Sequence, residues 1–156
     1  SACGEKKLDE SITLLNQNKE EITFPLEKPA LLFFITSYTW GLCQKQLVQL
    51  HENLKELEGL DVEMFIISND TPEHQLELHN ALKEMFGYSL NLVSDPELKL
   101  VDHFGMKNGD TAFRGYGLMD QEGRVIFKKA SDHWGEQITE TVKDIKEEYH
   151  KLGETN

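Results

Sequence analysis

The amino-acid sequence predicts a single α/β domain in which helices flank a mixed β-sheet. Two nearly continuous apolar runs, 30–35 and 62–68, are typical of strands that are covered on both faces. Segments with apolar residues at intervals of three and four follow both runs, which is the spacing of a buried helical face. Strands that alternate with helices in this way indicate a layered α/β architecture.

Length and composition limit the classes of protein that fit. At 156 residues the chain is long enough for one domain with a substantial core and too short to favour two. A formal net charge of -12 argues against nucleic acid as a partner, because phosphate would be repelled. We expect residues 1–10 to form a polar tether and residues 11–152 to form the domain.

The N-terminal elements are predicted to be a β-hairpin and then the central strand. Two β-leaning runs, 11–15 and 21–24, are joined by the polar stretch 16–20, which indicates a hairpin. Two prolines bracket a turn before the apolar run at 30–35. This run is therefore expected to be the strand from which the chain enters its first helix.

The first helix is predicted to follow a polar loop, 36–42, to open on Cys43 and to end at Gly59. Its buried face consists of leucines at helical spacing, namely Leu47, Leu50, Leu54 and Leu57. The free N–H groups and the macrodipole of a helix start favour thiolate over thiol. Because free cysteine is also among the most buried residue types, position alone leaves open whether Cys43 is reactive or a core residue.

The second half of the chain is predicted to continue the alternation and to close with a hairpin and a helix. Thr71 and Pro72 form a strong helix start. The predicted elements up to Gly105 are a strand at 62–68, a helix that ends at Gly87, a strand at 90–93 and a short helix that begins at 94–97. Strands at 113–119 and 125–129 are then expected to form a hairpin around a turn. The last helix is predicted to have a buried face that runs from Trp134 to Leu152.

The N-terminal Ser1-Ala2-Cys3-Gly4, followed by a charged stretch, resembles the junction at which a bacterial lipoprotein signal peptide is removed and the cysteine is acylated. We therefore expect an extracytoplasmic, membrane-anchored lipoprotein that is attached through Cys3. The alternative is a stray free cysteine near a polar terminus. No other stretch approaches the ~18 consecutive apolar residues of a membrane span.

Three segments carry a resemblance to a known family, and they are 34–47 around Cys43, 92–97 with Phe104-Gly105-Met106, and Ala112-Phe113-Arg114-Gly115 with Asp120 and Gly123. Together with the order of elements and a cysteine after the first long strand, these segments resemble the thioredoxin fold and, within it, the peroxiredoxin (AhpC/TSA, redoxin) family. The resemblance covers about residues 11–150. It implies a thioredoxin-like fold, a central mixed β-sheet flanked by helices, with an N-terminal β-hairpin.

The resemblance also implies roles for individual residues. Cys43 would be the nucleophile, whose thiolate attacks the terminal oxygen of a hydroperoxide to give a sulfenic acid and water or an alcohol. Arg114 would hold the thiolate and bind the peroxide oxygens. The alternative for Arg114 is a surface arginine or a salt-bridge partner for one of the many acidic residues, but its place in Phe-Arg-Gly favours the functional role.

The sequence departs from the family motif Pro-x-x-x-Thr-x-x-Cys, because Thr36 stands at the proline position and Trp40 at the threonine position. Thr39 directly precedes Trp40, and we assign it to the site as the residue that supplies the hydroxyl in place of the motif threonine. No resolving cysteine stands at thioredoxin spacing, so we expect a one-cysteine scheme with an external thiol reductant. The alternative function is a non-enzymatic thioredoxin-like module that binds a protein partner or a metal, with Cys43 buried and inert.

Six histidines raise a metal hypothesis: His51, His74, His79, His103, His133 and His150. None neighbours Cys43 in sequence, and the spacing of His74 and His79 does not align them on a helix face. We therefore expect solvated histidines and neither a metal nor a cofactor, although a loop carrying His133 could approach the cysteine. Asp132 is predicted to cap the last helix.

Overall fold

The computed structural model describes residues 7–37 and 41–154 of the chain. The strands within these residues are β1 (Ile12–Asn16), β2 (Glu21–Phe24), β3 (Ala30–Phe34), β4 (Glu63–Ser68), β5 (Asn91–Ser94), β6 (Lys107–Asn108), β7 (Thr111–Ala112), β8 (Gly115–Met119) and β9 (Val125–Ala130). The helices are α1 (Gly41–Glu52), α2 (Pro72–Phe86), α3 (Lys99–His103) and α4 (Ile138–Glu154), and a 3-10 helix spans Leu54–Leu57.

Seven of these strands form one mixed sheet in the order β2-β1-β5-β4-β3-β8-β9. Strands β3, β4 and β5 are parallel to one another, whereas β8 runs antiparallel to β3 and continues into the hairpin with β9. The N-terminal hairpin β1–β2 joins the opposite edge through β5. The predicted fold class, a mixed sheet flanked by helices with an N-terminal hairpin, is confirmed.

Strand β3 lies at the centre of the molecule and is buried on both faces. None of its five residues is more than 1% exposed. Because successive side chains of a strand point to opposite faces, Leu31 and Phe33 pack in the cluster that contains α1, while Leu32 and Phe34 pack in the cluster that contains α3. The continuous apolar run at 30–35 thus correctly predicted a strand that is buried on both faces.

The first helix is shorter than predicted. It ends at Glu52 rather than at Gly59, and the 3-10 helix follows after Asn53. The side chain of Asn53 donates to the carbonyl oxygen of Gln49 at 2.8 Å, which is the acceptor that a continuing helix would offer to the Asn53 N–H. The leucine spacing continued through the break and concealed it.

Two other boundaries also differ from the prediction. The expected strand at 113–119 begins only at Gly115, and the preceding residues form the small hairpin β6–β7 around Gly109. Two-residue strands are too short to produce a periodic signal. The last helix begins at Ile138, so Trp134 precedes it, although the indole is fully buried as its place on the apolar face predicted.

His51 is a buried residue and not the solvated histidine that we expected. It is 2% exposed, its Nδ1 donates to the carbonyl oxygen of Leu47 at 2.8 Å, and its Nε2 accepts from the backbone N–H of Leu90 at 3.2 Å. This arrangement requires a neutral ring, since a protonated Nε2 cannot accept. Burial lowers the pKa of His51 even though its bond to Leu47 acts in the opposite direction.

We expect the free energy of unfolding to fall as the pH drops below about 6.5, the ordinary pKa of histidine. His51 has a lowered pKa in the folded state, so the unfolded chain binds its proton first and is favoured by acid. Urea unfolding between about pH 8 and about pH 5 measures this slope.

A His51→Leu variant is the control for that experiment. It should be less stable than the parent at high pH, because the Leu90 N–H loses its acceptor, but its stability should depend less on pH. His79, whose pKa is also lowered by burial, accounts for part of the remaining slope. Equal slopes in parent and variant would contradict the assignment to His51.

Candidate active site around Cys43

Cys43 lies in the first turn of α1, two residues after the helix begins. Its side chain has no exposed surface and packs in the same cluster as Phe33, Ile35 and Trp134. The cysteine is free, and it is placed where the unpaired N–H groups of a helix start are concentrated. Burial and a helix N-terminus thus act on the same sulfur, with opposite effects on a thiolate.

A hydroxyl group lies directly against that sulfur, and it belongs to Thr36. The Oγ1 atom of Thr36 is 3.2 Å from the Sγ atom of Cys43. Sequence reasoning missed this residue because it treated Thr36 only as the replacement of a proline. The available signal was a hydroxyl residue immediately beyond the central strand. Thr39, the residue predicted to supply the hydroxyl, lies outside the described residues.

Arg114 is brought to the same end of the sheet by strand register. It directly precedes Gly115, which pairs with Phe34, the last residue of β3. The Arg114 side chain is 14% exposed, and its Nη2 donates to the Oδ1 atom of Asp132 at 2.9 Å. Its Nε is buried and has no hydrogen-bond partner among the described residues.

The position of Asp132 corrects the prediction that it caps the last helix. The helix begins six residues later, at Ile138, and the carboxylate of Asp132 binds the guanidinium of Arg114 instead. Arg114 is therefore a salt-bridge partner, which is one of the interpretations that its sequence context left open. The ion pair uses the Nη2 atom of the guanidinium, whereas the buried Nε atom has no hydrogen-bond partner in the described part of the chain.

Residues 131–137, here called the α4 approach segment, are fastened to α1 by Gln46. The side chain of Gln46 has no exposed surface, and its Oε1 accepts from the backbone N–H groups of Gly135 at 2.7 Å and Glu136 at 3.0 Å. Its Nε2 donates to the Leu42 carbonyl at 3.2 Å and to the Glu136 carboxylate at 2.9 Å. One side chain therefore connects the turn that carries Cys43 to the segment that carries Asp132.

The contact between this segment and α1 is too close for a side chain at Gly135. A Cβ atom there would lie 2.5 Å from the Cα atom of Gln46. The neighbouring Trp134 stacks on Phe33, with ring centroids 5.1 Å apart, and its carbonyl accepts from the Thr141 hydroxyl at 2.6 Å. The α4 approach segment is thus packed into the core on the side of the sheet where Cys43 lies.

Two further groups of the segment, His133 and Glu136, are paired with each other, and Glu136 is also paired with α1. His133 bonds to Glu136 at 3.0 Å, and Lys45 of α1 lies 3.7 Å from the same carboxylate. Bonds from His133 and Gln46 lower the pKa of Glu136. Among the residues that the structure describes, no group of three or more His, Cys, Asp or Glu side chains is arranged to hold a metal ion.

A cleft of about 890 Å³ lies at the other end of the sheet, between Pro29, the β8–β9 turn and the last turns of α4. It is separated from Cys43 by the length of β3, since Pro29 precedes that strand and Cys43 follows it.

No helix within residues 7–37 and 41–154 is long and apolar enough to cross a membrane. Cys3 lies outside the described residues, so lipoprotein attachment stays a prediction.

The family model described as the AhpC/TSA family matches residues 8–128, a span that includes Thr36, Cys43 and Arg114. The chain belongs to the AhpC/TSA family. The thioredoxin-like fold and the peroxiredoxin-like family that the sequence motifs indicated are thereby confirmed. The match ends before the α4 approach segment, so the contacts of Gln46 and Asp132 are known only from the geometry of this chain.

Solved structures of peroxiredoxins share the fold at low sequence identity. The mitochondrial 2-Cys peroxiredoxin from Plasmodium falciparum is 21% identical with a TM-score of 0.72, covering 98% of this chain and 97% of that chain. Peroxidoxin BcpB from Mycobacterium tuberculosis is 19% identical with a TM-score of 0.70, covering 91% and 97%. The bacterioferritin comigratory protein from Xanthomonas campestris is 15% identical with a TM-score of 0.64, covering 89% and 98%. No curated protein matches the sequence.

We expect Gln46→Leu to lower the free energy of unfolding by about 2–4 kcal/mol, because it leaves two backbone N–H groups without their acceptor. The matched control is Gln49→Leu, which changes a partly buried glutamine of the same helix and should cost less than about 0.5 kcal/mol. Urea unfolding of both variants measures the difference. A similar cost for the two would show that the Gln46 bonds do not fasten the segment.

Proposed function

We propose that this AhpC/TSA protein is a thiol-dependent peroxidase that reduces hydroperoxides through the single cysteine Cys43. The observation that carries the proposal is the pairing of Phe34 with Gly115. This register places Arg114 at the sheet end from which the chain continues to Cys43. A sulfur nucleophile in a helix turn and a permanent cation at the same end of the sheet are groups that cleavage of an O–O bond can use.

The first step is a nucleophilic substitution at oxygen. The thiolate of Cys43 attacks the terminal oxygen of the hydroperoxide, an S–O bond forms and the O–O bond breaks. Sulfur is oxidised to the sulfenic acid, and the departing oxygen takes a proton to leave as an alcohol or as water. Arg114 is the group that would stabilise negative charge on the departing oxygen, since its guanidinium stays charged and offers several N–H donors.

The second step restores the thiol with an external reductant. A thiol condenses with the sulfenic acid, giving a mixed disulfide and water, and a second thiol then displaces Cys43 as a free thiol. Among the described residues, Cys43 is the free cysteine and has no second thiol beside it, which supports an external thiol donor. The bacterioferritin comigratory protein from Xanthomonas campestris has alkyl peroxide reduction activity, and we infer that organic hydroperoxides belong to the substrate class here too.

The decisive experiment is the rate of sulfenic acid formation at Cys43 under limiting hydrogen peroxide, trapped with dimedone and assigned by peptide mass. We expect a rate several orders of magnitude above that of free cysteine, and no trapped product at this position in Cys43→Ser. A Cys3→Ser variant is the matched control and should keep the parent rate under a one-cysteine scheme. A rate near that of free cysteine would favour the non-enzymatic module instead, with Cys43 as a buried core residue.

The role of Arg114 is tested by Arg114→Ala, which should slow sulfenic acid formation by about 10²-fold to 10³-fold, the usual loss when one donor to a developing charge is removed. Arg114→Lys should recover only part of this rate, because an ammonium lacks the planar fork. Arg124→Ala is the control, since that arginine pairs with Asp120 and Glu122 at the other end of the sheet. Equal rates in the Arg114→Ala and Arg124→Ala variants would remove Arg114 from the mechanism.

A further inference from the structure

We propose that Thr36 is a catalytic residue, whose hydroxyl donates a hydrogen bond to the Cys43 thiolate. The inference rests on the proposed function and deepens it. It assigns the hydroxyl to the position where the family motif has proline, seven residues before the cysteine, rather than to Thr39. The supporting observation is the distance of 3.2 Å between the Thr36 Oγ1 and Cys43 Sγ atoms.

The direction of this hydrogen bond is determined by the protonation state of the sulfur. While Cys43 is a thiol, either the S–H or the hydroxyl can donate. Once the sulfur has lost its proton it can only accept, so the Thr36 hydroxyl becomes the donor. A hydrogen bond that is made to the charged form stabilises that form. The contact therefore favours the nucleophilic state.

The Thr36 hydroxyl is held in place by the backbone on both sides. The preceding residue, Ile35, donates its N–H to the Ile67 carbonyl at 3.0 Å, which extends the pairing of β3 with β4. The carbonyl of Thr36 itself accepts from the hydroxyl of Thr111 in β7 at 3.3 Å. A threonine side chain is also stiff about its first torsion angle. The donor is thus positioned before the thiolate forms, which is the condition for efficient electrostatic stabilisation.

Burial of the sulfur makes such a donor necessary. The Cys43 side chain has no exposed surface, so bulk water does not solvate a thiolate there. The helix start supplies partial positive charge along the axis, and Thr36 adds a donor from the side of the strand. Thr36 performs this function from a position two residues after β3 ends, outside the helix that carries the cysteine.

The test is the pH dependence of Cys43 alkylation by iodoacetamide, followed by peptide mass in Thr36→Val and Thr36→Ser. Thr36→Val removes the hydroxyl at nearly constant shape and should slow alkylation near neutral pH about tenfold, with the midpoint of the pH–rate profile at higher pH. Thr36→Ser keeps the hydroxyl and should remain within about twofold of the parent. Thr13→Val, which removes an exposed hydroxyl paired with Thr23, is the matched control and should leave the profile unchanged.

Identical profiles for Thr36→Val and the parent would overturn the assignment. Thr36→Ala repeats the comparison should the valine fail to pack, with circular dichroism to show that each variant is folded. Because alkylation does not involve peroxide, slow sulfenic acid formation in the parent would reject the peroxidase proposal and still leave the Thr36 comparison decisive. Conversely, parent-like sulfenic acid formation in Thr36→Val would reject Thr36 and retain Cys43.

Discussion

The tight fit of β3 in the middle of the sheet is the constraint on which the candidate site depends. Its residues are buried on both faces and are hydrogen-bonded to β4 on one side and to β8 on the other. Slipping this strand by one residue would move every side chain to the wrong face, so its register is fixed strongly. The position of Thr36, and that of Arg114 relative to it, are therefore set by core packing rather than by the loop.

A second constraint comes from the polar bonds of Gln46, which join two parts of the chain that the sheet does not connect. A buried amide with every donor and acceptor occupied stabilises one geometry strongly, since each broken bond leaves a buried group without a partner. The carboxylate of Asp132 lies three residues before Gly135 and holds Arg114. The helix that carries Cys43 and the side chain of Arg114 are consequently held against the same segment.

Long apolar patterns were sufficient to predict the fold, because burial on both faces of β3 and on one face of each long helix leaves a periodic trace in the sequence. Single polar contacts leave no such trace. The burial of His51, the bond of Asp132 to Arg114 and three of the four bonds of Gln46 depend on residues far away in sequence. Family motifs identified the cysteine and the arginine, but Thr36 departs from its motif, so only the geometry revealed its contact with sulfur.

Complete burial of Cys43 has a kinetic consequence. An oxidant meets the sulfur only in conformations in which the surrounding groups have moved aside, so the observed second-order rate constant is the intrinsic constant multiplied by the fraction of open molecules. This requirement slows every reagent that attacks the sulfur. The thiol is also protected from reagents in the closed conformation. Burial of Cys43 thus slows its reaction with every external reagent and prolongs the lifetime of the reduced thiol.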